Sequence, residues 1–348
     1  MMKEYSIKEL AERVSGEIQG DPNLMVTGLC ALNAPKEGCI SFCSIRSISA
    51  LVNTLKEKQH HAIFIKRNLE IPSDIGTTCI AVDDPQRALI SIIPLFKESL
   101  IPTPSISSKA DISSSAKIGK NVFIGAFSVI GDDCVIEDGA IIHPHVVLYK
   151  GVTIGKNAVI HSGAVIREFC EIGEHVIIQN GAVIGADGFG YIPNPDGTLL
   201  AVPQIGNVSL GKNAEVGANT CIDRAALGVT KIGEGTKIDN QVQIGHNVSI
   251  GNHSIVCGQG GIAGSAEIGD HVVLGARVGV ADHVKVATGC RFGAGTVLPQ
   301  NITKPGDYAG YPAMPAMDFR RSMNIMKKLP SIFATIQKQQ KVEKGNEN

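Results

Sequence analysis

Several signals are missing from this 348-residue chain, and each absence closes off a class of protein. Charge imbalance is absent: 32 Lys and Arg face 33 Asp and Glu, a net charge of −1. Nothing in that balance suggests a nucleic-acid partner or an anionic membrane surface. No apolar run approaches the roughly 20 residues needed to span a bilayer, so stable membrane insertion is not expected. The opening MMKEYSIKELAERV is charged rather than signal-like. The nine cysteines include no CxxC pair, which argues for reduced thiols and a cytoplasmic location. The 3.6-residue apolar period of amphipathic helices and the broken period-2 pattern of hairpin sheets do not run through the centre of the chain.

What runs there instead is a period of six. An apolar residue recurs from Ile112 through Ile118, Ile124 and Ile130 to Ile184 without a slip. The phase resumes at Leu210, Val216 and Ile222, and again from Ile232 to Leu298. Each hexad supplies one short strand and one turn, and three hexads close a triangular coil. The 28 sites make about nine coils stacked at roughly 4.8 Å, with one aliphatic side chain per hexad pointing inward. Glycine often follows the apolar site, as at Gly119, Gly155 and Gly245, where a tight corner has no room for a Cβ. Cys134, Cys170, Cys221 and Cys290 fall at or beside these positions and read as small buried or half-buried thiols.

Three regions follow. Residues 1–104 lack the hexad and alternate strand-like HAIFI and TCIAV with helix-like segments, a small α/β domain. Its first helix opens on a capping box from Ser6 to Glu9 and runs through Val14. Residues 105–305 are the β-helix. Residues 306–348 read as helices, with Pro330 breaking an amphipathic segment from a second one. Seven basic residues (Arg320, Arg321, Lys327, Lys328, Lys338, Lys341 and Lys344) stand there against Asp318 and Glu343. They read either as a solvated face or as a dock for an acidic partner.

Two breaks interrupt the hexad, at Gly185–Gln204 and at Asp223–Lys231. Insertions in a solenoid become loops on its face, either inert or forming walls beside a cleft. Residues eighteen apart stack, which sorts the histidines. His143 lies over His161 and His253 over His271, as turn ladders. His246 stands alone, with Gly264 one coil above it and Asp239 seven residues before it on the adjoining face. A base beside a backbone N–H suits acyl transfer, the first taking the nucleophile's proton and the second holding the oxyanion. A zinc site like that of the hexapeptide carbonic anhydrases is disfavoured, because no HxxxxH spacing occurs. Neither a metal nor a cofactor is expected.

At DGFGY (Asp187–Tyr191), IDRAA (Ile222–Ala226), DNQVQIGHN (Asp239–Asn247), GGIAGS (Gly260–Ser265) and ADH (Ala281–His283), the chain resembles the UDP-3-O-acylglucosamine N-acyltransferases of lipid A biosynthesis. The similarity extends to APKEGCISF (Ala34–Phe42) and GYPAMP (Gly310–Pro315). It implies a mainly β fold: a left-handed parallel β-helix of hexapeptide repeats, with a small N-terminal α/β nucleotide-binding domain and C-terminal helices. It also implies a homotrimer with active sites between subunits. The implied reaction moves an (R)-3-hydroxyacyl group from acyl carrier protein to the 2-amine of a UDP-glucosamine acceptor. On the matching positions His246 would be general base, Asp239 its orienter, Gly264 the oxyanion donor and His283 a sugar or phosphate contact. Phe42 would stack the uracil. The family's Asn, Lys and Tyr that follow this Phe are replaced here by Ile45, Ser47 and Ile48, with Arg46 among them. O-acylation of UDP-N-acetylglucosamine and a nonenzymatic β-helix scaffold are the alternatives. The basic C-terminal segment would then receive the acyl carrier protein.

Overall fold

In the computed structural model, which describes residues 3–43, 48–57, 60–97, 100–310 and 316–345, the hexads form three parallel sheets of 9, 11 and 10 strands. Each sheet collects every third hexad. Phe123–Ile124 pairs with Ile141–Ile142, which pairs with Val159–Ile160, so residues eighteen apart do lie over one another. Two strands exceed the sequence pattern, Ser105–Ile106 at the start and Asp307–Tyr308 at the end.

The expectation of one inward side chain per hexad is corrected: there are two. From the second coil on, the residue two positions before the apolar site is buried as well, for example Ala140, Val152, Ala158 and Ala182. Strand alternation sends side chains i and i−2 to the same face, and a two-residue strand with its flank presents both. The second position is mostly Ala, Val, Cys, Ser or Thr. In several coils it carries a hydroxyl that donates to a corner carbonyl: Ser128 Oγ to His143 O at 3.0 Å and Thr220 Oγ1 to Asp239 O at 2.7 Å. The buried polar group is thereby satisfied and costs little. Cys134, Cys170 and Cys290 occupy this position as buried free thiols, whereas Cys221 is half-buried on the outer side of its strand. Burial pushes the Cys170 thiol up to about 11, so it stays protonated and inert. Each fully buried Ile adds roughly 1.5–3 kcal/mol.

Glycine after the apolar site answers to a different constraint from corner dihedrals. A Cβ on Gly155 would lie 2.7 Å from the backbone N of Glu174 in the next coil, while its own φ is not positive. The left-handed residue falls three positions after the apolar site, with φ 54° at Asn157 and 62° at His145. Polar side chains that tolerate this region recur there.

Both insertions leave the ladder intact. Ile172 pairs with Leu210 across the first, and Leu210 with Ile232 across the second. The first insertion carries an antiparallel hairpin, Tyr191–Pro193 with Leu199–Ala201.

The chain divides into two compact units, Met1–Ile101 and Pro102–Asn348. The first holds a five-stranded sheet in the order Glu17–Gln19, Thr78–Val82, Ala62–Lys66, Cys39–Phe42, Gly28–Leu29. Alternation along Ala62–Ile65 sends Ala62 and Phe64 into one apolar cluster and Ile63 and Ile65 into another. Helix Ile7–Val14 begins at the anticipated capping box, where Glu9 N donates to Ser6 Oγ and Ser6 N to Glu9 Oε2. At the other terminus the expected break at Pro330 does not occur: one helix runs from Ala316 to Gly345. Proline removes a single N–H and crowds one preceding turn, and the Met, Lys, Leu, Ala and Gln residues on either side favour helix strongly.

Gly155→Ala should lower stability by about 1–3 kcal/mol through overpacking between coils. Gly293 occupies the same hexad position in the last coil, where a Cβ meets its nearest atom at an ordinary 3.7 Å. Gly293→Ala should therefore stay within about 0.5 kcal/mol. Thermal unfolding of the two variants distinguishes this explanation from a dihedral one, which would penalise both alike.

Candidate active site

Successive coils place four turns on one corner of the β-helix: Gly185–Asp187, Asp223–Arg224, Gly245–His246 and Ala263–Gly264. Ile222 pairs with Ile244 and Ile244 with Ile262, so Arg224, His246 and Gly264 share one vertical line. Beside this line opens a cavity of about 760 Å³, bordered by His246, His283, Asp223, Asp282, Gln243 and Gly264, with Asp187, Phe189 and Tyr191 from the first insertion.

The imidazole of His246 is packed between Gly188 and Gly264. A Cβ on Gly264 would sit 2.7 Å from His246 Nε2, and one on Gly188 would sit 2.5 Å from His246 Cβ. Glycine on both sides is what lets the ring enter. The N–H two positions after an apolar site is capped by a polar side chain in some coils. Lys120 N donates to Asp138 Oδ1 at 2.7 Å and Glu234 N to Asn252 Oδ1 at 2.8 Å. Gly264 N occupies that position with no such cap among the described residues, which leaves it able to donate to a ligand oxygen. His283 borders the same cavity, its own N–H bonded to Gly264 O at 3.0 Å.

Asp239 stands elsewhere. It follows a strand of the 11-stranded sheet, whereas His246 follows one of the 10-stranded sheet, so the two occupy different corners of one chain. Asp239 Oδ2 accepts from Gly258 N at 2.9 Å and Oδ1 from Asn240 N at 2.7 Å. The partner of His246 Nδ1 is Asn247 Oδ1, at 3.1 Å. Phe42 ends a strand of the first unit, half-buried against its apolar cluster. Ile45, Arg46 and Ser47 lie outside the described residues, as do Tyr311–Pro315 of the GYPAMP segment.

Sequence reasoning missed several residues here. Asp223 sits beneath Gly245; burial pushes its carboxyl above the usual range, against the opposing pull of Gln243 Nε2 at 3.0 Å and the nearby His246. Arg224, its side chain only 7% exposed, donates Nε to Gly185 O at 2.7 Å and Nη2 to Glu168 Oε2 at 2.7 Å. Together with Arg167, 3.6 Å from Asp187 Oδ1, it ties the root of the first insertion to the coils below. Ladder arithmetic could have found both, since Asp223 and Arg224 lie one coil under Gly245 and His246.

The histidine ladders also form, with ring centroids 4.8 Å apart for His143 and His161 and 5.4 Å for His253 and His271. Neither pair borders the cavity. Among the described residues no cluster of His, Cys, Asp and Glu could hold a metal ion, and no helix is long and apolar enough to cross a membrane.

The stacked-hexad scaffold, with an imidazole packed beside Gly264 at one corner, is that of a hexapeptide-type transferase. The family description "bacterial transferase hexapeptide (six repeats)" matches residues 115–150, 151–186 and 265–300. A UDP-3-O-acylglucosamine N-acyltransferase of Anaeromyxobacter dehalogenans (strain 2CP-1) is 39% identical over 265 residues, covering 75% of this chain and 73% of its own. One from Pseudomonas savastanoi pv. phaseolicola is 39% identical over 355 residues, covering 96% and 93%. The chain belongs to the UDP-3-O-acylglucosamine N-acyltransferase family and is an N-acyltransferase. The solved structure of an Arabidopsis UDP-N-acetylglucosamine acyltransferase matches with a TM-score of 0.54 at 23% identity, over 66% of this chain and 82% of that one, a likeness of fold.

Gly264→Ala should push the imidazole aside, and a displacement near 1 Å costs on the order of 10²-fold in rate. We expect that loss of kcat with little change in melting temperature, checked by steady-state kinetics beside thermal unfolding.

Proposed function

We propose that the protein transfers an (R)-3-hydroxyacyl group from an acyl carrier protein thioester to the 2-amine of UDP-3-O-(3-hydroxyacyl)glucosamine, in the cytoplasm, as a step of lipid A biosynthesis. The observation that carries this reading is the contact of the His246 ring edge with Gly264, whose N–H is uncapped. The acceptor amine attacks the thioester carbonyl while His246 Nε2 removes its proton. The carbonyl oxygen takes the charge and is met by Gly264 N–H. Collapse breaks the C–S bond, and the leaving thiolate takes the proton from the imidazolium. Direct attack fits the site, since among the described residues no Ser, Thr or Cys borders the cavity to form an acyl-enzyme. His283 stands on the cavity wall, where it would meet the sugar or a phosphate. Phe42 keeps part of its ring exposed and is our candidate for stacking the uracil. Identity near 39% to N-acyltransferases along most of the chain favours this over O-acylation, for which the likeness is one of fold.

The outer faces of the coils support a homotrimer. In the 11-stranded sheet the outward residues include Phe123, Ile141, Val159 and Ile177, and in the 10-stranded sheet Val129, Val147, Val165 and Val183. The third sheet turns Lys117, Glu171, Lys231, Glu267 and Lys285 outward. Apolar rows over the early coils of two faces, beside a third face with more charged residues, suit burial against two neighbouring copies. Asp239, which shares no corner with His246 in one chain, could orient it only from another subunit.

His246→Ala should leave a folded trimer and lower kcat by about 10²- to 10⁴-fold. Turnover within a few fold of wild type would remove the base assignment. The C-terminal helix presents Arg321, Lys327 and Lys328 to solvent, with Arg321 3.7 Å from Asp318. The side chains of Lys338, Lys341 and Lys344 lie outside the described residues. If this helix receives the acidic carrier protein, changing Arg321, Lys327 and Lys328 to Glu should raise KM for the carrier and flatten its salt dependence, leaving KM for the UDP-sugar unchanged. Equal salt sensitivity in mutant and wild type would move the docking site away from this helix.

A further inference from the structure

The second insertion has no apolar core of its own and contributes no wall to the cavity beyond Asp223, yet its backbone is bonded to the residue beside the base. Asn247 Oδ1 accepts from Ala226 N at 3.0 Å, and Asn247 Nδ2 donates to Leu227 O at 2.9 Å. Its own backbone N donates to Thr230 Oγ1 at 2.9 Å. All three partners belong to the segment that breaks the hexad.

These bonds determine which way the amide faces. The group that Ala226 turns to the carboxamide is its N–H and the one that Leu227 turns to it is its carbonyl, so rotating the carboxamide by half a turn would set donor against donor and acceptor against acceptor. The oxygen must therefore face Ala226 and, with it, His246 Nδ1 at 3.1 Å. An acceptor at that distance requires the proton on Nδ1. The other nitrogen, Nε2, then keeps its lone pair, and it is the one beside Gly264 and the cavity.

We infer that Asn247 is a positioning residue that holds His246 in the Nδ1–H tautomer, and that the second insertion exists to clamp its carboxamide in the orientation this requires. The inference deepens the acyl-transfer reading and rests on His246 being the base. A neutral carboxamide fixes the tautomer without the added pull of a carboxylate on the imidazolium. The charged and titratable groups facing the same cavity, Asp187, Tyr191, Asp223, Asp282 and His283, are common to every variant proposed below.

The test uses the full-length enzyme with ¹⁵N-labelled histidine, the His246 signals being assigned by their loss in His246→Gln. Two-bond ¹H–¹⁵N correlation spectra at neutral pH should show Nδ1 protonated and Nε2 bare. Asn247→Leu keeps the size and removes the acceptor. It should shift population to the Nε2–H form and lower kcat by roughly 10- to 100-fold, as loss of a supporting partner does, with KM for both substrates within about twofold. Asn247→Asp restores the acceptor and should recover the Nδ1–H form and most of kcat. It should also move the acid limb of the pH–rate profile to higher pH, because a carboxylate favours the imidazolium. A wild-type His246 in the Nε2–H form, or an Asn247→Leu enzyme at full kcat, would overturn the inference. If Asn247→Leu fails to fold, Asn247→Asp with an unmoved acid limb would overturn it equally. Should His246→Ala retain activity while the spectra show Nδ1–H, the base reading fails and the tautomer assignment stands.

Discussion

Parallel pairing of each strand with the one eighteen residues on is the constraint from which the rest of the molecule follows. A two-residue strand has little stability alone, and only the ladder above and below it satisfies its backbone. That ladder holds only if the apolar site returns at the same phase in every coil, since a slip of one residue would turn the inward row outward. The hexad is the sequence's record of this requirement. So are the small second row of Ala, Val, Cys, Ser and Thr, and the glycines whose missing Cβ lets neighbouring backbones approach.

A scaffold so regular makes a corner chemically predictable. The vertical neighbour of any turn residue is known. The site departs from the repeat as little as it can. It keeps the register and puts an imidazole where other coils carry Lys, Glu or Asn, beside a backbone N–H that some coils cap and this corner leaves open. The two insertions then serve the corner in different ways. The first packs Gly188 onto His246 and borders the cavity with Phe189 and Tyr191, and is secured at its root by buried Arg224. The second reaches back through Ala226 and Leu227 to the carboxamide of Asn247. Rigid coils supply distance, and the irregular segments supply orientation.

Burial is managed consistently across the molecule. Hydroxyls that enter the coil interior find carbonyls, and thiols that enter it are raised out of the reactive range, as at Cys170. Asp223 and Arg224 are the exceptions with consequences, a carboxyl pushed up by burial and a buried guanidinium, one beneath Gly245 and the other beneath the base.

The sequence by itself determined the coil, its phase, both insertions, the opening of the first helix and the neighbourhood of His246 with Gly264. All of these follow from local periodicity or from counting along a repeat of constant length. Tertiary structure alone decided what counting cannot reach. The second inward row was hidden because Ala, Cys and Thr do not stand out as core residues. Asp239 looked close to His246 in number yet lies at another corner, because seven residues pass through a strand and a turn of the triangle. Asn247 carries no signal as a bare Asn in the left-handed position that many coils fill with Asn. Its role depends on two backbone groups of the second insertion folding back onto it, and that return is a property of the loop's path in space.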